Sequence, residues 1–160
     1  MRLISEALNY TAVKIFFGIL LVALLAGGVR TRRTAVQALL AFLIANGMTD
    51  LFKNLLPQHR PFQELKDVIL WVGPSNTYGT ASAHSANMAA IAFVFVYHLR
   101  WWGTPWVAIA LVVGFSRVFC GAHYPHQVLL GWVCGLAAGY CVTNAWSYFT
   151  RRQEKVSAEH

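Results

Sequence analysis

Acidic side chains are scarce in this chain: 6 Asp and Glu stand against 13 Lys and Arg in 160 residues, and charged residues of both signs make up only 12%. So low a charged fraction, beside an apolar fraction of 57%, falls outside the range of ordinary water-soluble domains and points to the membrane class. Charge is absent altogether from residues 68–99 and 118–150, and residues 10–29 hold only Lys14. A helix needs ~20 mostly apolar residues to cross a bilayer, and each stretch is long enough for a crossing. Cysteine is nearly missing too. Cys120, Cys134 and Cys141 are odd in number and lack paired spacing, which excludes a disulfide framework and leaves them as small buried hydrophobes. The balance of +7 does not imply a nucleic-acid partner, because the basic residues lie between or beside apolar segments and form no soluble patch. There is no repeat, no low-complexity segment and no cleavable signal pattern at the N-terminus. The chain therefore reads as one domain over residues 1–160.

The apolar pattern predicts an all-α integral membrane helical bundle. About five transmembrane helices are expected, at residues 10–29, 35–55, 82–99, 104–120 and 127–149. Leu3, Ile4, Ala7 and Leu8 have the spacing of a short interfacial helix before them. The longest polar connection is residues 57–80, broken by Gly73, Pro74, Ser75, Asn76 and Gly79, and it alone is long enough to cover a site. Arg30, Arg32 and Arg33 follow the first span, Arg100 the third, and Arg151, Arg152 and Lys155 the fifth. With five crossings all three clusters share one side, which the positive-inside rule makes the cytoplasm. Trp101, Trp102, Trp106 and Trp146 are expected in an aromatic belt at that interface. The N-terminus, the 57–80 loop and the turn at residues 121–125 then face outward.

That outward side gathers ionisable residues that a membrane edge disfavours: Lys53, Arg60, His84, Arg117, His123 and His126. Snorkelling explains any one basic residue at an interface but not a set drawn from separate stretches of chain, and intramembrane charges point to function. Three cations with few carboxylates nearby make an anion site, for Asp50 can neutralise only one of them. Guanidinium groups suit the oxygens of a phosphate. Ala81, Ser82, Ala83 and His84 open a helix whose free N–H groups and dipole attract an anion, and Ser82 can cap that helix, donate to the anion, or both. Two histidines beside a phosphate supply a nucleophile and an acid–base group for transfer without a metal. A metal site of His84, His123 and His126 is the competing reading. No carboxylate or thiol has ligand spacing to complete it, and the cations would repel a divalent ion, so no metal and no cofactor are expected.

These residues resemble the three-part signature of the type-2 phosphatidic acid phosphatase superfamily: K-x6-RP, then PSGH, then SR-x5-H-x3-D. Lys53 through Arg60 and Pro61 match the first part fully. Ser82 and His84 keep the serine and histidine of the second, with Ala81 and Ala83 replacing proline and glycine. Ser116, Arg117 and His123 match the third, which ends in Gln127 where the family has aspartate. The resemblance covers the motif-bearing core, about residues 35–149.

The resemblance implies that Lys53, Arg60, Arg117, Ser82 and the Ala83 backbone hold the phosphate. His123 would be the nucleophile, forming a phosphohistidine, and His84 the acid and base. At position 127 a carboxylate would orient Nδ1–H of the nucleophile and stabilise its positive charge. A glutamine carbonyl keeps the orientation without the charge, so less activity is expected than from an aspartate version. The implied partner is a phosphorylated lipid in a bacterial inner membrane, met on the periplasmic side. The 1-phosphate of lipid A is favoured, because Thr80 to His84 looks like the second block of lipid A 1-phosphatases; undecaprenyl diphosphate and phosphatidylglycerol phosphate are the other candidates. Two alternatives are a lipid phosphotransferase and a non-catalytic phospholipid-binding or transport protein.

Overall fold

A computed structural model describes residues 11–73 and 76–158; the expected interfacial helix at residues 3–8 lies outside them. Among the described residues the regular structure is all helical. It comprises α1 (Thr11–Ala26), α2 (Val29–Leu55), the single turn α3 (Pro61–Glu64), α4 (Ala83–Leu99), a 3₁₀ turn (Arg100–Gly103), α5 (Thr104–Phe119) and α6 (Pro125–Ala158).

Three stretches are long and apolar enough to cross a membrane: Val29–Leu55, Ala83–Phe119 and Pro125–Ser157. The middle one is a hairpin. Its backbone reverses at Arg100, which has φ 53°. Phe95 then meets Trp106 with ring centroids 4.6 Å apart, and Met88 and Ala92 share a buried cluster with Ala110 and Val113, as antiparallel neighbours do. Helix α1 is 16 residues long, ~24 Å at 1.5 Å per residue, shorter than the first expected span.

Helix α4 is the centre of the bundle, packed against α6, α2 and α5. Water cannot drive helices together in lipid, so close backbone approach does it, and small residues permit that approach. A Cβ on Gly135 would lie 2.1 Å from the Ala86 carbonyl oxygen, and one on Gly131 2.5 Å from that of Ser82. Only glycine allows α6 to lie so close to α4. Ala38, Ala41 and Ala45 of α2 and Ala86 and Ala90 of α4 fill the core beside them. At the other end Arg30 donates to the His98 carbonyl from Nε (2.7 Å) and from Nη2, and His98 Nε2 pairs with Gln37 Oε1 at 2.9 Å, which ties α2 to α4.

Three details differ from the sequence reading. Helix α2 begins at Val29, so Arg30, Arg32 and Arg33 belong to its first turns and not to a loop; only Gly27 and Gly28 separate it from α1. Helix α6 runs on past residue 149 and carries Arg151, Arg152 and Lys155 on helix. Trp106 packs its ring on Phe95, while Trp101 and Trp102 are exposed. Cys120 and Cys134 are buried but Cys141 is exposed, because its position on α6 faces away from the core.

Candidate active site

The same helix faces that build the core deliver the site. The buried stripe of α2 runs Thr34, Ala38, Ala41, Ala45, Thr49 and ends on Lys53. That of α5 runs Ala110, Val113, Gly114 and ends on Arg117. On α6 the stripe of Val142, Ala138 and Cys134 rises to Gln127. Side chains three and four residues apart share a helix face, so the residue that completes each stripe at the end of its helix is turned into the bundle, where no neighbouring helix covers it. Helix α4 meets this end with its first turn and His84.

These ends enclose a cavity of about 370 Å³ lined by Lys53, Arg60, Val72, Gly73, Thr77, Ala81, Ala83, His84, Arg117 and His123. Lys53, Arg60 and Arg117 are buried. Asp50 holds Lys53 Nζ at 2.8 Å, and the guanidinium groups of Arg60 and Arg117 face the same cavity. Ser82 is the N-cap of α4; its Oγ accepts from the Ser85 hydroxyl at 2.9 Å and from Ser85 N–H at 3.4 Å. Ser82 is fully buried, and it is Ala81 and Ala83 on either side that line the cavity. His84, in the first turn of the helix, is exposed to the cavity.

Arg60 arrives on the 57–80 loop, where Pro61 opens α3 and the Arg60 N–H donates to Gln63 Oε1 at 2.9 Å. Its guanidinium is locked on all sides. Nε donates to Thr77 O (2.9 Å), Nη2 to Thr77 Oγ1 (3.0 Å) and Tyr78 O (3.4 Å), and Nη1 to Ala122 O (3.4 Å) and His123 Nε2 (3.1 Å). Burial, then the charge of Arg117, lower its pKa from the ordinary value.

His123 sits in the turn between α5 and α6, where Gly121 takes φ +68°, a conformation favourable only to glycine. Its N–H donates to the Arg117 carbonyl at 3.2 Å, which fixes His123 and Arg117 relative to each other. A guanidinium can only donate, so Nε2 of His123 is the accepting nitrogen and Nδ1 carries the proton. Nδ1–H is shared between Gly79 O at 3.1 Å and Gln127 Oε1 at 3.2 Å. Burial, with the charges of Arg60 and Arg117 behind it, pushes the pKa down to about 3 against the opposing bonds from Gln127 and Gly79. The ring is thus neutral, with its lone pair toward the cations.

Gln127 is fully buried and has every polar atom engaged. Its Oε1 also accepts from Tyr124 N–H at 3.2 Å, and its Nε2 donates to His59 O at 3.0 Å. Gly79 is a site residue that motif reading passed over as a loop breaker. A Cβ there would stand 2.7 Å from Arg60 Cγ and 2.9 Å from Gln127 Oε1. Thr80, likewise missed, clamps the loop through Oγ1, which donates to Leu56 O at 2.6 Å and accepts from Gln58 N–H at 3.2 Å. His126 points elsewhere: it stacks on Tyr124 (5.5 Å, 13°) and meets Gln58 Oε1 at 3.2 Å. Tyr124 in turn donates to Glu64 Oε2 at 2.8 Å, and this bond raises the phenol pKa. Among the described residues no three of His, Cys, Asp and Glu come together as metal ligands.

A helical bundle with a buried, cation-lined cavity and an oriented neutral histidine is joined by a family match: residues 34–151 match the PAP2 superfamily. The chain belongs to that superfamily. Among its relatives, the undecaprenyl-diphosphatase of Sulfolobus acidocaldarius is 28% identical over 107 residues, 66% of this chain and 52% of that protein. The lipid A 4'-phosphatase of Porphyromonas gingivalis is 29% identical over 107 residues, 63% of this chain and 44% of that protein. This chain thus spans about half the length of the curated relatives it matches. The crystal structure of Aquifex aeolicus LpxE shares the fold, with a TM-score of 0.66, 21% identity, and coverage of 89% of this chain and 92% of that one.

Proposed function

We propose that this protein is a metal-independent phosphatase that removes phosphate from a membrane lipid through a phosphohistidine on His123. The observation that carries the reading is the bond from Arg60 Nη1 to His123 Nε2, which puts the nucleophilic lone pair and a phosphate-binding fork at one point of one cavity. Lys53, Arg60, Arg117, Ser82 and the Ala83 backbone bind the phosphoryl oxygens. Nε2 attacks phosphorus in line with the leaving oxygen, His84 protonates that oxygen where it needs a proton, and His84 then takes a proton from the water that cleaves the N–P bond. Almost all of the catalysis is positioning and charge stabilisation, as phosphoryl transfer requires.

The lipid is met from the bilayer, because the cavity lies at the ends of the apolar helices. Five crossings, with the cavity on the outer face of a bacterial inner membrane, fit the basic residues at the opposite end. Candidate substrates are lipid A 1-phosphate, undecaprenyl diphosphate and phosphatidylglycerol phosphate, in keeping with relatives named for undecaprenyl diphosphate and for lipid A. The test is phosphate release from a panel of these lipids in detergent, with and without chelator, by the full chain and by His123→Ala. Release that survives chelator and vanishes in His123→Ala supports the reading. Loss of activity on chelation, or full activity in His123→Ala, overturns it.

A further inference from the structure

The end of the bundle away from the active-site cavity carries a groove with the shape of an amphiphile. It runs between α2 and α6, has a volume of about 560 Å³, and is lined by Leu40 and Ile44 of the one helix and by Cys141, Ala145, Trp146 and Phe149 of the other. Cys141 and Ala145 stand one turn apart on α6, and their small size leaves the hollow. Thr150 and Gln153 line its polar end. The Thr150 hydroxyl donates to the Trp146 carbonyl at 3.0 Å, so it is already satisfied within its own helix. Phe149 and Gln153 also line an adjoining hollow of about 450 Å³ together with Arg152 and Val156, and the groove thereby continues to the basic tip of α6.

The dimensions fit one hydrocarbon chain. From Cys141 to Gln153 the helix covers ~18 Å, and one leaflet's share of the bilayer hydrocarbon is ~15 Å. The depth agrees. Arg33 stands ~30 Å along α2 from Lys53 and Arg152 ~38 Å along α6 from Gln127, so with the cavity at one edge of a ~30 Å hydrocarbon core the basic ends reach the other edge. Charge supplies the rest. Among the described residues at this end Arg33, Arg151, Arg152 and Lys155 outnumber Glu154. Arg151 Nε donates to the Ser147 carbonyl at 3.2 Å, which turns Arg151 back along its own helix. Arg152, beside Gln153, stands at the mouth of the groove, and the exposed Lys155 shares its helix face at i,i+3.

We propose that this groove binds one anionic phospholipid of the leaflet opposite the active-site cavity, with an acyl chain along Cys141 and Ala145 and the phosphate on Arg152 and Lys155. This lipid is not a substrate, because the thickness of the hydrocarbon core separates its phosphate from His123. Its role follows from the helices it touches. Helix α2 carries Lys53 to the cavity and α6 carries Gln127, and a chain seated between the two supplies the packing contacts that small residues leave unmade at their far ends. The lipid thus holds the two helices in register from the end opposite the site. Lipid that merely coats the bundle touches the same helices, but it has no saturable place and no fixed partner for its phosphate. The site stands independently of the phosphatase reading above.

The deciding experiment titrates the full chain in neutral detergent with phosphatidylglycerol or phosphatidylcholine carrying identical brominated chains, which quench tryptophan on contact. Trp146 lines the groove, and subtracting the signal of Trp146→Phe isolates it from the other tryptophans. Phosphatidylglycerol is expected to saturate the Trp146 signal at a concentration about tenfold or more below that for phosphatidylcholine, since each basic residue near an anionic head group is worth about fivefold. Arg152→Gln combined with Lys155→Gln, both at exposed positions, is expected to remove that preference and leave phosphatidylcholine binding as it was. Ala145→Phe fills the groove and is expected to abolish Trp146 quenching by both lipids. Excess inorganic phosphate, compared with chloride at equal ionic strength, is expected to displace nothing. Equal binding of the two lipids, or a preference that survives loss of both charges, overturns the proposal. Displacement by phosphate beyond that by chloride overturns it by placing the lipid in the active-site cavity, and absence of quenching by either lipid does so by showing that another occupant, such as a second copy of the chain, covers the groove. If Ala145→Phe does not fold, the two charge substitutions still decide.

Discussion

Arg60 Nη1 and His123 Nε2 lie 3.1 Å apart, donor to lone pair. On the proposed mechanism a phosphoryl group bonded to Nε2 has its oxygens within reach of the same guanidinium, so that Arg60 would serve the transition state more than the ground state. Arg60→Lys retains charge but loses the fork held by Thr77, Tyr78 and Ala122. A charge-assisted bond contributes ~1.5–3 kcal/mol, so the expected loss is about 10- to 100-fold in the rate of phosphoenzyme formation. Rapid-quench trapping measures it, and a rate within a factor of two of wild type would show that the fork is dispensable.

The buried neutral ring of His123 makes stability depend on pH with a definite sign. Its pKa is near 6.5 in the unfolded chain and about 3 in the folded one. Between these values the unfolded chain binds a proton that the folded chain does not, so folding is progressively disfavoured as pH falls from 6.5 toward 3. His123→Asn, which cannot titrate, is expected to lose less melting temperature over that window in the same detergent. Parallel melting curves for the two proteins from pH 7 to pH 4 would contradict the burial of a neutral ring.

Gly79→Ala tests the close approach at the loop. The added methyl lies 2.7 Å from Arg60 Cγ and 2.9 Å from Gln127 Oε1, and neither side chain can retreat without breaking bonds to its partners. Overpacking of this kind costs ~1–3 kcal/mol. Both stability and kcat are expected to fall, whereas Gly73→Ala, whose Cβ meets nothing within 4 Å, is expected to leave stability unchanged. Equal melting temperatures for the two variants would count against the packing described.

Gly135→Ala addresses the bundle itself. Its Cβ would stand 2.1 Å from the Ala86 carbonyl oxygen, so α6 must move away from α4. A loss of ~1–3 kcal/mol or more is expected, read as a lower melting temperature, with activity falling through displacement of Gln127. An unchanged melting temperature would mean that the helices are not in backbone contact.

The parts of the molecule legible in the sequence are those written in local pattern. Charge-free runs marked the helices of the bundle, and the start of α4 fell within a residue of its expected place because Ser82 is a true N-cap. The cluster of Lys53, Arg60, His84, Arg117 and His123 was legible because each is a residue type that membrane edges reject, and the cavity brings all five together. What escaped depended on backbone groups and on tertiary contact. The acceptor carbonyls of Gly79, His59 and Thr77 have no side-chain signature, and Gly79 looked like any loop breaker. The start of α2 was missed because arginines interrupt the apolar run, although a helix continues through them once Arg30 finds the His98 carbonyl. Cys141 was misjudged because seven-residue spacing with Cys134 puts both near one face but does not say which neighbour covers it.

The stripes of small residues that end on Lys53, Arg117 and Gln127 have a consequence for how this protein can change. Each residue added to a helix turns everything beyond it by about 100° and lifts it by 1.5 Å. A one-residue insertion in the middle of α2 or α5 would therefore swing Lys53 or Arg117 out of the cavity, and one in α6 would turn Gln127 away from His123, even if the helix stayed fully formed. Variation in length is confined to the connections, and the lipid-facing surfaces can drift in sequence only by substitution.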